Sequence, residues 1–424
     1  MTAWRAGTAS ATITPEEPLM LGGYWAREGP AEGAEHDLRA EVLALSDGAG
    51  GRAVLVSLDL LFVPDGLRAA VVEACDVTAD GLFVTATHTH SGPETRPARA
   101  EIEDWDPRFR DRQAAYLDRA ERAVVGAVER ALADPAPATV ALGRGRAGFA
   151  MNRRVERDGE FGIGASPDRP VDHEVPVLRV GTDGNRRDRD GDDGGGTPAA
   201  LVFGYACHPT TRGAEWRQYS ADWVGYAKAA LRERYPGVTP LFVPGCAGDQ
   251  APFPRDRPAL AKRHGEALAN AVEAGAEADP RPLGGRLDSA FRTVDLALDV
   301  PDRAALEAGL DAGDAGTRGR CRYLLSAYPD GVPDSYAYPV QRLDVGDLTL
   351  VGLAGEPVVA YADRLDAELD GPTWTAGYCH EYCGYVPTPR IIAEGGYEGG
   401  RWVENTPFPG TFAPLVEERI AGAV

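Results

Sequence analysis

The chain has 424 residues, 43% of them hydrophobic, which is enough for a large packed core, and six cysteines in that length do not make a disulfide scaffold. Its 65 acidic residues against 44 basic ones give a formal charge of -21, which excludes a nucleic-acid-binding face and docking on an anionic membrane. Nearly all the basic residues are arginine, the lysines being Lys228 and Lys262, and an acidic surface almost empty of lysine predicts a halophilic protein whose self-repulsion is screened by salt.

Residues 5–24 read as a short strand, a Pro turn and a Gly-rich loop (TASATITP, then LGGY). Two strands follow within 36–63, then a short helix at 66–75. GLFVTATHTHSGP, residues 81–93, is an apolar strand that runs into a Gly-Pro loop. Apolar residues at helical spacing over 107–134 stop at a Pro-rich 135–137. A strand at 139–150 and the run VPVLRVGTDG lead to a polar, Gly-rich hairpin tip at about 183–198, expected to be flexible. AALVFGYACHPT, residues 199–210, is a buried strand ending in a loop. Helices at 222–235 and 257–277 flank the strand LFVPG. Strands near 287–300, 337–345 and 348–353, a helix at 357–369 and a last strand at WTAGY complete the pattern. Strands and helices alternate loosely, with no linker and no repeat. The fold class is therefore α/β in the mixed α+β sense: one domain over 1–424, a mixed sheet with flanking helices, and a metal site at the strand ends.

The chemistry concentrates in a few of the seven histidines. In VTATHTHSGPE, His88 and His90 are two apart, so on an extended strand both rings share a face. His208 follows the apolar run LVFGYAC, and Glu356 follows LTLVGLAG; a carboxylate directly after such a run, if buried, must be paired or bound to a cation. Two or three histidines and one glutamate make a catalytic zinc set with room for water. Other classes are poorer: there is no G-x-S-x-G elbow, P-loop or dinucleotide fingerprint, and Cys246 reads as a buried structural thiol. Cys379, His380 and Cys383 suggest a metal knuckle, but no second cysteine pair lies at zinc-finger spacing.

ATHTHSGPE at 86–94 resembles the signature of the neutral/alkaline ceramidases. TITP and LGGY at 12–24, MNRR at 151–154, GCAGD at 245–249, PVQRLDVGDLTLVGLAGE at 339–356 and GYVPTPRIIAEGGYEGG at 384–400 fall in matching order. The resemblance implies a Zn2+ held by His88, His208, Glu356 and Tyr385, with His90, Arg153 and Tyr397 facing the scissile amide. Arg154 is adjacent, so the arginine register stays open. The implied activity is hydrolysis of the amide of a small-molecule N-acyl amine by zinc-activated water. A zinc esterase, lactonase or phosphoester hydrolase on the same scaffold, or a non-catalytic zinc-binding homologue, are the alternatives. Asp59 and Asp249 are candidates to orient the ligand imidazoles.

The sequence also departs from the family. Ala251, Pro252 and Phe253 stand where the family carries Ser-Pro-Asn, and no C-terminal β-sandwich domain is expected. These departures leave the zinc set intact and point to a smaller or more polar N-acyl compound as readily as to ceramide. The start MTAWRAGTASATITP has neither a basic n-region nor an apolar h-region, and no run approaches the length of a transmembrane segment, so a cytoplasmic location is expected. The salt reading predicts a thermal midpoint that holds or rises with KCl in a melting series; a midpoint that falls steadily contradicts it.

Overall fold

The longest apolar runs become neighbouring strands. The computed structural model describes residues 4–182, 196–311 and 314–424; of the tip expected at 183–198, residues 183–195 lie outside the described residues. β1 (Trp4–Thr12), β2 (Arg39–Ser46) and β3 (Arg52–Leu58) form an antiparallel meander. A crossover through α1 (Leu67–Ala74) sets β4 (Leu82–Ala86) parallel to β3. Both faces of these strands are covered, which explains their unbroken hydrophobicity. Val42 and Val56 enter a cluster beneath α2 (Pro107–Ala133), while their neighbours Leu43 and Leu55 enter a second cluster on the opposite face. α2 begins at Asp106, whose side chain accepts from the Arg108 amide, and it turns Tyr116, Ala120, Val124, Ala127 and Ala131 onto the sheet.

The chain continues through β5 (Ala136–Arg146), the hairpin β6 (Ala150–Arg157) and β7 (Glu160–Ser166), then β8 (Glu174–Thr182) and β9 (Ala200–Phe203). After α3 (Asp222–Arg234) come β10 (Thr239–Phe242), β11 (Gln250–Pro252) and α4 (Pro258–Glu277). Gly143 in β5 lets α4 approach closely: a Cβ there would lie 1.7 Å from the Gly275 carbonyl oxygen. The last third supplies β12 (Leu287–Asp299), β13 (Ser335–Val345), β14 (Leu348–Ala354), β15 (Glu356–Pro357), α5 (Ala360–Glu368), β16 (Thr373–Cys379) and β17 (Tyr385–Val386).

Among the described residues fourteen strands join in one mixed sheet, in the main order β10-β9-β8-β5-β1-β2-β3-β4-β16-β14-β13-β12 and then Thr411–Phe412, with Arg281–Pro282 pairing off this path with β5. The sheet folds over on itself. A bridge between Gly245 and Ala376 ties the segment after β10 to β16, and Leu241, Leu350 and Trp374 share one core with Leu43 and Leu55. α3 and α4 cover the outer face of β8 and β9 through Trp223, Leu268 and Val272. The mixed α+β class with flanking helices is as expected.

Three local readings differ. The strand expected at 139–150 is split into β5 and β6 around Ala147–Phe149. The run 199–210 leaves the ladder at Phe203, although Tyr205 and Cys207 stay buried. β7 and the helices Pro97–Ile102, Arg303–Gly309 and Ala315–Ala327 have no counterpart in the sequence reading, since their short, mixed-polarity segments carry little periodicity. Among the described residues, no helix is long and apolar enough to cross a membrane.

Candidate metal centre

β4 and β16 run toward each other and touch only at their C-terminal ends, through the pair Thr85–Cys379. The Thr85 hydroxyl secures this junction on the Gly377 and Tyr378 carbonyls. His88 emerges just beyond β4, but not on an extended strand as expected. The strand stops at Ala86, and His88 has a left-handed backbone with φ 62°. A non-glycine residue held there carries local strain, which accumulates at functional sites. The turn still brings the two imidazoles together: His88 Nε2 and His90 Nε2 are 3.2 Å apart, with ring planes at 83°.

His208 lies beyond β9, completely buried, its ring centroid 4.8 Å from that of His88. Both rings are oriented from behind by backbone. His88 Nδ1 donates to the Leu61 carbonyl at 3.0 Å, and His208 Nδ1 to the carbonyls of Ala247 at 2.7 Å and Gln250 at 2.9 Å. Because a carbonyl only accepts, each Nδ1 carries a proton and each ring turns its Nε2 toward the cluster. Burial, with Arg153 nearby, pushes the His208 imidazole down to about 3, so it is neutral near pH 7.

Both Nε2 atoms face one carboxylate oxygen. Glu356 Oε2 is 3.2 Å from His88 Nε2 and 3.0 Å from His208 Nε2. β15 pairs in parallel with β17 in a register that puts Glu356 opposite Tyr385. The Tyr385 hydroxyl reaches to 3.4 Å from His208 Nε2. Burial raises the Tyr385 phenol while Arg153 pulls it down.

Two imidazole Nε2 atoms thus converge to within 3.2 Å of one carboxylate oxygen, Glu356 Oε2, an arrangement a cation can bridge. In a tetrahedral zinc site with bonds of about 2.0–2.1 Å, ligand atoms stand roughly 3.3–3.4 Å apart. The donor separations of 3.0, 3.2 and 3.4 Å fit that spacing. His88, His90 and His208 form a group that can hold a metal ion, each offering a nitrogen within 4.8 Å of the others.

Of the adjacent arginines, Arg153 faces this cluster. Its Nη2 donates to the Tyr385 hydroxyl at 2.9 Å and its Nε to Glu398 at 2.8 Å. Arg154 points away, to Glu398, Glu394 and the Gly395 carbonyl. Tyr397 stacks edge-on to Tyr385 at 5.3 Å and lines the same small cavity as His88, His90 and Glu356. Neither aspartate weighed as an orienting group touches an imidazole. Asp59 accepts from the Arg39 amide and from Lys228, and Asp249 from the Val359 amide and Asn152. Backbone carbonyls occupy the places a carboxylate would have taken.

The Cys379–His380–Cys383 knuckle does not form. The Cys379 thiol faces the Ala376 and Gly377 carbonyls, and the metal-site grouping found among the described residues includes none of Cys379, His380 or Cys383. Cys246 is fully buried, and burial pushes its thiol well up, which disfavours a nucleophile. A larger cavity of about 160 Å³ beside α5, lined by Asp172, Glu174, Asp363 and Asp366, shares no residue with the histidine cluster.

Two residues of the site lie inside quoted motifs but were not singled out by the sequence reading. Glu398 reads as one more surface acid, yet it is buried and pairs with both arginines. Gly23 has φ 94°, and a Cβ there would lie 2.5 Å from His90 Cγ. Gly23→Ala is expected to displace the His90 ring and lower kcat/KM by about 10-fold or more while costing only about 1 kcal/mol of stability. Paired kinetic and melting measurements check this; unchanged kinetics would show that Gly23 does not set the His90 position.

No family profile matches the chain. A neutral ceramidase of Mycobacterium tuberculosis is 26% identical over a 420-residue alignment that covers 79% of this chain and 63% of that protein. The crystal structure of neutral ceramidase from Pseudomonas aeruginosa matches with a TM-score of 0.74 and 19% identity, over 100% of this chain and 73% of that one. The chain is related to the neutral ceramidases. A structure described as a ceramidase complexed with C2 gives a TM-score of 0.73 at 20% identity, covering 100% of this chain and 74% of that one. The solved ceramidases share the fold, and the chain spans less than two thirds of its curated neutral ceramidase relative.

Proposed function

We propose that the chain is a zinc-dependent hydrolase of the amide bond of an N-acyl amine. The carrying observation is the convergence of His88 Nε2, His208 Nε2 and Glu356 Oε2, with the Tyr385 hydroxyl beside them. These four residues would hold the zinc. A zinc ion so held supplies Lewis acidity and brings the pKa of a coordinated water to about 7.

The chain's own groups do the rest. Arg153, fixed between Glu398 and Tyr385, keeps positive charge where the amide carbonyl oxygen becomes negative, and the Tyr397 hydroxyl is a second donor on that side. His90 is the proton carrier. Burial and its two neighbouring histidines hold its imidazole well below the usual range, so a proton it accepts passes readily to the leaving amine nitrogen. The 3.2 Å approach of His90 Nε2 to His88 Nε2 also favours a second reading, in which His90 is a further ligand. His90→Ala separates the two: the proton-carrier role predicts lost turnover with zinc retained, the ligand role predicts lost zinc.

The direct test is a panel of amide, ester, lactone and phosphoester substrates with zinc-loaded protein. Turnover confined to amides supports the proposal. Turnover confined to esters, lactones or phosphoesters, or zinc bound with no turnover on any of them, overturns it.

A further inference from the structure

Tyr378, near the end of β16, joins the segments that carry two of the four donors. Its amide donates to the Gly355 carbonyl at 2.8 Å, one residue before Glu356. Its carbonyl accepts from the Thr85 hydroxyl at 3.3 Å, on the strand that leads to His88. Held from both sides, Tyr378 has a left-handed backbone with φ 58°. For a bulky side chain that conformation is a strained outlier, kept only where the surroundings over-determine it. Glycine takes it up without strain at Gly355 and Gly384 close by. What tyrosine adds at this position is a ring.

That ring meets both imidazoles that face Glu356. Its centroid is 4.2 Å from that of His88, with the planes at 31°, and 6.0 Å from that of His208, edge-on at 89°. Phe62 adds a tilted contact to His88 at 5.1 Å. The backbone carbonyls at each Nδ1 hold one atom of an imidazole and leave its plane free to turn about that hydrogen bond. An aromatic face packed against the ring fixes the plane as well. Tyr378 is buried, so this contact is shut off from water. The Tyr378 hydroxyl has no hydrogen-bond partner among the described residues. A buried hydroxyl left unpaired costs stability, so the contribution of Tyr378 lies in the ring and not in the oxygen.

We infer that Tyr378 is a positioning residue of the metal centre: its ring is the floor that sets the planes of the His88 and His208 imidazoles, and through them the affinity and the tetrahedral geometry of the site. This rests on the zinc reading of these donors but concerns a side chain outside the donor set. Outer groups that orient ligand imidazoles act on the metal in this way.

Tyr378→Leu and Tyr378→Phe test it by two readouts that need no turnover. One is zinc affinity, from competition with a chromogenic chelator. The other is the visible spectrum of the cobalt(II)-substituted protein, whose bands report the coordination geometry. Tyr378→Leu should weaken zinc binding by about 10–100-fold and shift and weaken the cobalt bands. Tyr378→Phe keeps the ring and should restore both the affinity and the spectrum of the wild type. Melting of the metal-free proteins shows that each variant is folded, and Tyr378→Met replaces the leucine variant if that one is not. A folded leucine or methionine variant with wild-type zinc affinity and an unchanged cobalt spectrum overturns the inference. So does a phenylalanine variant that loses zinc as badly as the leucine variant. A wild-type chain that binds neither metal overturns the zinc reading itself, and the inference with it. Zinc bound without hydrolysis counts against the hydrolase reading alone, and the comparison of the variants still decides the role of Tyr378.

Discussion

Replacing His88 by alanine is expected to release the metal and abolish hydrolysis. Removing an outer hydrogen-bond partner of a metal ligand costs about 10–100-fold in affinity, and removing a ligand costs more. The folded chain should survive, because without a cation the substitution removes one of the two imidazole nitrogens crowded against Glu356 Oε2. The metal-free variant should therefore melt at or above metal-free wild type. Only the wild type should gain stability when zinc is added, by the usual linkage of ligand to the native state. Metal analysis, kinetics and melting with and without zinc check all three. A variant with wild-type zinc content and activity would remove His88 from the site.

The second large effect concerns Arg153. Its guanidinium bonds Glu398 through Nε and Tyr385 through Nη2 at once, in a buried position. A lysine keeps the charge but is a single point on a flexible stem and cannot span both partners. Arg153→Lys should lower kcat by about 100-fold, the scale for loss of one pre-placed donor to a developing oxyanion. The fold should persist, because Glu398 keeps its pair with Arg154 at 2.8 Å. Arg154→Lys should do the reverse, costing about 1–3 kcal/mol of stability through lost anchoring of Glu394 and Gly395, with a smaller effect on kcat. Steady-state kinetics beside denaturant melts distinguish the two. The opposite pattern would exchange the roles of the two arginines.

His88, His208 and Glu356 could be read from the sequence because each is a polar residue just past an apolar run, where strands end and crevices form. Tyr385 and Arg153 could not. Their position depends on the two-residue pairing of Glu356–Pro357 with Tyr385–Val386 and on a β6 strand that lies in a separate small sheet. Neither has a periodicity, and only the resemblance to a family pointed to them. The geometry of His88 was read wrongly for a similar reason: alternation along a strand says nothing about where the strand stops, and a left-handed residue leaves no mark in composition. The fold class followed from long apolar runs, whereas the folding-over of the sheet joins residues far apart in sequence, through the Gly245–Ala376 bridge and the core that Leu241 and Trp374 share with Leu43 and Leu55. Tyr378 reads as the last residue of the strand WTAGY until its ring is placed against His88 and His208.

The most direct test of the account is zinc-edge anomalous diffraction from crystals of the zinc-loaded protein. One strong peak per chain, bonded to His88 Nε2, His208 Nε2, the Glu356 carboxylate and the Tyr385 hydroxyl, is the predicted result. A peak at the Cys379–Cys383 segment instead, or no peak between the two imidazoles at saturating zinc, would contradict it.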